Sequence, residues 1–171
     1  ERVQVKALKV KGNIGYGKAE EILTPAEERV RPKCPVFSKC GGCLFRHIRY
    51  DAELAIKKSW VDEHFHRIGK LDISCDTIIP SPAENGYRNK AQYPVSSKHG
   101  RAYAGFFKAG THQVVENDRC LILPDEMDRV KDIVIDYVNH YRIPVYDETA
   151  HKGLLRHIYV RRGAVSGQIL V

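Results

Sequence analysis

Three of the five cysteines fall within ten residues, CPVFSKCGGC (34–43), where Cys34, Cys40 and Cys43 form the spacing C-x5-C-x2-C. A turn brings thiolates so spaced to one point, and Gly41-Gly42 supplies it because glycine accepts positive φ without a Cβ clash. The same turn aims backbone N–H groups at sulfur and offsets the negative charge of thiolates or sulfides. Pro35, directly after Cys34, matches the Cys-Pro step of bacterial ferredoxin motifs. A metal site is the expected chemistry. Its fourth ligand has a local candidate in His47, at C-x3-H from Cys43, which would complete a Cys3His zinc site. Cys75 and Cys120 are the remote candidates, and they suit the larger iron–sulfur cube. Spacing leaves three readings open: an iron–sulfur cluster, zinc, or a group of structural thiols.

Composition agrees with a metal site in a reducing compartment. An odd number of cysteines argues against a disulfide framework. No apolar run approaches the roughly 18 residues of a membrane span, and the charged opening ERVQVKALKV has no signal-peptide core, so a cytoplasmic location is expected. The net charge of +7 favours a polyanionic partner, because clustered Lys and Arg release counterions from phosphates. With 171 residues and 43% hydrophobic residues, the chain can bury one good core and a small second module. Both ends fall inside alternating apolar patterns, which suggests a segment of a longer protein.

The elements that must position the cysteines follow from the pattern. Residues 3–10 and 14–23 read as two strands joined by KGNIGYG; an isolated hairpin is barely stable, so this piece must pack elsewhere or belong to a small barrel. TPAEERVRPKCP reads as an extended linker, with a module boundary near Arg31. A first helix begins with Asp51 as N-cap, carries Leu54, Val61, Phe65 and Ile68 on one face widened by Trp60, and ends at Gly69. A second runs from Pro124 to Tyr141 with Met127, Val130, Val134, Tyr137, Val138 and Tyr141 on its buried side. Strands are expected at 73–79, 90–96, 101–107, 112–116, 155–162 and 168–171, with SSKHG as a hairpin turn. Hairpin-rich strands with two helices favour an α+β fold on an antiparallel sheet.

A nucleic-acid surface can be read beside this. Strand alternation in YRNKAQYP puts Arg88 and Lys90 on one face with Gln92. Tyr87, Tyr93, Phe106 and Phe107 offer rings on which unpaired bases could stack, each with a core role as the competing reading. Lys108 and His112, Arg156 with His157, and His47 complete the candidate contacts. Lys57 and Lys58 read as a solvated helix face.

Five segments taken in order, C-x5-C-G-G-C, YRNKA (87–91), GFFKAGTH (105–112), RCLIL (119–123) and GLLRH (153–157), resemble the iron–sulfur class of RNA uracil-5-methyltransferases. The resemblance runs over nearly the whole chain. It implies that Cys34, Cys40, Cys43 and Cys120 hold a [4Fe–4S] cluster, with Cys75 an ordinary thiol. It implies that residues 1–31 are the end of an OB-like TRAM barrel and 32–171 the central cluster and RNA-binding domain, acting as a monomer on 23S ribosomal RNA. In that family S-adenosylmethionine and the catalytic cysteine belong to a Rossmann-like domain that follows. This chain has no G-x-G-like turn after an apolar strand and no cysteine beyond 120, so by itself it is expected to be inactive. The alternative is a zinc-stabilised nucleic-acid-binding module without methyltransferase activity.

Overall fold

A computed structural model describes residues 1–171. The chain opens with an antiparallel hairpin of β1 (Arg2–Lys11) and β2 (Ile14–Thr24), turned at Gly12 with φ +58°. Every residue of both strands is exposed, and the pair forms a two-stranded sheet of its own. What ties it down is Glu1: its carboxylate accepts from the Arg29 guanidinium and from the Ala26 N–H at 3.3 Å. That guanidinium holds the Glu1 carboxyl down at about 2. The segment expected as a free linker is held as well. Val30 N–H donates to His47 O at 2.9 Å and Arg49 N–H to Glu28 O at 2.8 Å, pairing residues 28–30 with the stretch behind the cysteines.

The main sheet contains β3 (Lys90–Lys98), β4 (Arg101–Phe107), β5 (Val114–Glu116), β6 (His157–Arg162) and β7 (Ile169–Leu170), in the order β5-β4-β3-β6-β7 with every pairing antiparallel. The expected α+β class with an antiparallel sheet matches this. His99 and Gly100, with φ +51° and +77°, make the two-residue turn between β3 and β4; two successive left-handed residues fit the right-handed twist of a hairpin. Alternation sends Ala91, Tyr93 and Val95 of β3, Ala102 and Ala104 of β4, and Ile158 and Val160 of β6 to one face. On that face lies α2 (Asp125–His140), contributing Met127, Ile135 and Val138 to the core. Three alanines there let the helix sit close to the sheet. Tyr93, Met127 and Val160 are fully buried, each removal from water being worth about 2–3 kcal/mol.

Five expectations are corrected. Tyr137 and Tyr141 are exposed and pack on each other at 4.5 Å, because the buried row of α2 runs Met127, Lys131, Ile135, Val138. The first helix, α1 (Tyr50–Glu63), starts with Arg49 in the cap position, while Asp51 lies one residue inside and chelates the Arg49 guanidinium. It buries no residue: Leu54 and Phe65 are half-buried, whereas Trp60, Val61 and Ile68 are exposed. It continues into a π-helical turn, His64–Ile68, and the left-handed residue that follows is Lys70 (φ +55°), not Gly69. Glycine is needed at 69 for another reason: a Cβ would lie 2.9 Å from Phe65 O. Residues 73–79 form no strand; the Cys75 N–H instead donates to Asp62 Oδ1 at 2.7 Å, which fastens this segment to α1.

Candidate metal centre and nucleic-acid interface

The cysteine loop is built by local bonds. Phe37 N–H donates to Cys34 O and Cys40 N–H to Val36 O, coiling the chain so that Cys34 and Cys40 approach. Gly42 N–H points at Cys40 Sγ, 3.4 Å away, as expected, but neither Gly41 nor Gly42 takes the positive φ on which the turn was expected to rest. Gly41 docks the loop on the sheet: its N–H donates to Phe107 O at 2.9 Å, and Cys40 bridges to Lys108. A Cβ at Gly41 would stand 2.9 Å from Ala109 Cα and 3.0 Å from Ala109 N, so only glycine allows this approach.

Cys120 reaches the same neighbourhood from the other side, between β5 and α2. Its N–H donates to Asp128 Oδ2 at 2.7 Å, and Tyr93 Oη donates to Asp128 Oδ1 at 3.0 Å. Lys131, buried beside them, donates to the carbonyls of Asn117 and Asp118 at 2.7 and 3.1 Å and so holds the turn before Cys120. Two polar residues on the inner face of α2 thus form a rack for Cys120. Burial pushes the Asp128 carboxyl up, against the two donors that face it.

Cys43 lies within electrostatic reach of Cys40 and Cys34, and Cys120 within reach of Cys43 and Cys40. Burial pushes Cys43 up, Arg46 beside it acts downward, and Cys40 and Cys34 add to the rise. Cys120 is pushed up to about 11, by burial first and then by Asp128, Cys43 and Cys40. Cys75 stands apart on Asp62. All five thiols are free. As the side chains stand, no three His, Cys, Asp or Glu groups converge tightly enough to hold one ion. A single zinc would need sulfurs about 3.8 Å apart, given Zn–S bonds near 2.3 Å; a cube sets its iron and sulfide between the thiolates and spaces them more widely. The groups available to a cluster here are free thiols, an N–H directed at Cys40 Sγ and a guanidinium beside Cys43. His47 keeps a buried Nδ1 without a hydrogen-bond partner, its ring 5.6 Å from Phe37.

The fold gathers some of the expected RNA contacts and disperses others. Lys108 and His112 sit on the turn between β4 and β5, where Lys108 N–H donates to Gln113 O and Gly110 takes φ +68°. Glu148 joins this turn to Arg156: its carboxylate meets His112 Nδ1 at 2.6 Å and accepts from Arg156 Nη2 at 2.9 Å. These bonds draw the Glu148 carboxyl down, the one to His112 most. Arg156 also lies over the Tyr146 ring at 5.3 Å, and Phe107 stacks on His112 at 5.1 Å. His157 meets the Phe107 edge, and burial lowers its affinity for a proton. Lys90 is exposed over Tyr159 at 5.6 Å, with Gln92 on the same side. Arg88 is exposed, and its N–H donates to Ile122 O. Tyr93 is fully buried and offers no base a platform; Phe106 is half-buried against it at 5.3 Å.

The sequence reading missed Asp128, Lys131, Glu148 and Arg46. For the first two a signal existed: charged residues three apart on the apolar stripe of a helix. Glu148 and Arg46 also reach partners 36 and 38 residues away, which no local pattern signals.

No family model matches the chain. Over its full length it is 38% identical to an uncharacterized RNA methyltransferase of Halalkalibacterium halodurans, of which it covers 38%. It is 33% identical to one of Clostridium tetani and 36% identical to one of Clostridium acetobutylicum, covering 37% and 38% of them. The chain resembles one portion of RNA methyltransferases. It spans under two-fifths of the length of these relatives. Among solved structures it is similar to the Pyrococcus abyssi tRNA (uracil-54, C5)-methyltransferase in complex with S-adenosyl-L-homocysteine. That match has a TM-score of 0.65 and 19% identity, over 97% of this chain and 36% of the other. At that identity the likeness speaks for the fold. No helix is long and apolar enough to cross a membrane.

Proposed function

We propose that the chain is the RNA-recognition and [4Fe–4S]-binding portion of an S-adenosylmethionine-dependent methyltransferase that methylates C5 of uridine in 23S ribosomal RNA. What supports this is that the loop carrying Cys34, Cys40 and Cys43 docks on Lys108 through Cys40, and that Cys40 and Cys43 lie near enough to Cys120, nearly eighty residues on, to act on its charge, beside the turn bearing Lys108 and His112. The relatives' description as RNA methyltransferases supports the reaction class, and the solved neighbour's uracil C5 activity supports the atom modified.

In this reading the four thiols hold the cluster, and full thiolate ligation gives it a structural role. The residues of this chain supply the rest. Lys108, His112 and Arg156 on one side and Arg88 and Lys90 on the other contact phosphates, while His47 and Phe106 line the approach to the cysteine loop and the sheet. The methyl donor and the attacking cysteine belong to another part of the parent protein. Monomeric, cytoplasmic action on RNA is the state in which these contacts are free.

Anaerobic purification tests the cluster. Brown protein with broad absorbance near 400 nm and equal iron and sulfide is expected; colourless protein with one zinc per chain would replace this reading with a zinc-stabilised nucleic-acid-binding module. Cys120→Ala should abolish the colour, and Cys75→Ala should leave it. A tRNA-directed parent is the second reading, favoured by the likeness to a tRNA (uracil-54, C5)-methyltransferase. Competition between 23S fragments and tRNA for the protein separates the two.

A further inference from the structure

A groove of about 840 Å3 opens beside the cysteine loop, with Tyr87, one of the rings expected to stack bases, in its wall; it lies within the ~300–1,000 Å3 span of ligand pockets. Its walls are three separate segments fastened together. Tyr50 Oη accepts the Ser81 N–H at 2.6 Å, joining α1 to the loop at 81–85. Arg46 donates to Glu84 O at 3.0 Å and Asn85 Oδ1 at 2.8 Å, joining that loop to the cysteine segment. Gly86 and Arg88 donate backbone N–H groups to Leu121 O and Ile122 O, which seats the far wall on the segment after Cys120. The groove is therefore preformed.

Its lining combines five cations with three acids, and Asp51 and Glu53 among the acids are paired with Arg49 and Lys57. Arg31, Lys33 and Arg46 line it, and none of the three forms a salt bridge with a carboxylate; Arg46 donates to a backbone carbonyl and an amide and lies beside the Cys43 thiol. Tyr87 presents a ring that is 57% exposed, between the two backbone bonds that fix its position. An exposed tyrosine on a fixed stretch of backbone, beside cations without carboxylate partners, suits a ligand with a π-face and a phosphate. Such a pair of features is what unpaired RNA offers, and a duplex hides its base faces.

We infer that this groove binds single-stranded RNA, a base stacking on Tyr87 while its flanking phosphates face Arg31, Lys33 and Arg46. The inference rests on the RNA reading above and adds a second grip, separate from the Lys108–Arg156 cluster. Binding of a fluorescent ten-nucleotide single strand and of a blunt duplex of equal length, measured by anisotropy on the 171-residue chain, tests it. Tyr87→Ala should weaken single-strand binding about tenfold or more, within the range for loss of one base–aromatic stack. It should leave the duplex unchanged, and Tyr87→Phe should retain wild-type affinity. Arg31→Glu with Lys33→Glu should weaken the single strand and flatten its salt dependence. Undiminished single-strand binding by Tyr87→Ala, with normal wild-type affinity, overturns the groove alone. Absence of any RNA binding by the wild type removes the RNA reading and the groove with it.

Discussion

The Asp128 carboxylate receives the Cys120 N–H at 2.7 Å through one oxygen and the Tyr93 hydroxyl at 3.0 Å through the other, so the remote cysteine hangs from the hydrophobic core. Asp128→Ala leaves a buried N–H and a buried hydroxyl without partners, a loss of about 2–4 kcal/mol. The midpoint of thermal unfolding should fall by about 5–12 °C. Asp128→Asn should recover most of this, since its carbonyl can accept from Cys120 while its amide donates to Tyr93. Equal melting of the alanine variant and wild type would show the rack to be idle.

Neighbouring glycines should differ sharply. Gly41→Ala drives a Cβ into the Ala109 backbone, whereas Gly42→Ala meets only Cys40 Sγ at 3.5 Å. The first should cost about 1–3 kcal/mol and lower iron content after anaerobic purification; the second should cost under about 1 kcal/mol. Matching melting curves for the two would contradict the close approach of the loop to the sheet.

Alkaline pH should loosen the protein without metal. The Cys120 thiol rises from its ordinary value near 9 to about 11 on folding. A raised pKa means that the folded state favours the protonated thiol, so its stabilisation is whole below about 9 and is lost as pH climbs to about 11. Tyr93, also pushed up by burial and by Asp128, acts in the same direction at higher pH. Urea titrations at pH 8 to 11 under reductant should show falling stability, and Cys120→Ala should flatten the fall between 9 and 11. An unchanged slope in that variant would assign the decline elsewhere.

Glu148 neutralises two of the proposed phosphate contacts. Glu148→Gln should raise RNA affinity a few-fold and steepen the slope of log K against log salt by about one. Because the His112 and Arg156 pairs are exposed, folding stability should change by under about 1 kcal/mol. A salt series in which the slope stays put would detach His112 and Arg156 from RNA.

Much of this architecture was legible in the chain. Period-two alternation through Ala91, Tyr93 and Val95 marked β3 and its buried face, and SSKHG marked the turn at His99-Gly100. The α1 stripe misled because apolar spacing records which residues share a face and not whether anything covers it; Trp60, Val61 and Ile68 face solvent here. The α2 stripe misled for the opposite reason: Lys131, 3% exposed, displaced Tyr137 from the inner row because its ammonium had carbonyls to meet. Grouping Cys34, Cys40 and Cys43 needed only spacing. Their nearness to Cys120 depends on Gly41 and on Asp128, long-range contacts that no local pattern carries.

The backbone link of Cys40 and Gly41 to Lys108 and Phe107 also bears on how a metal centre would load. Closing a chain segment of that length, about seventy residues, costs roughly 4 kcal/mol of entropy in a flexible chain. Here folding of the sheet meets that cost before any metal arrives. Small zinc domains differ, since metal binding and folding are one event in them. Loading in this protein is therefore expected to alter far-ultraviolet circular dichroism little, leaving the binding energy of the thiols to set retention of the metal instead of assembly of the fold.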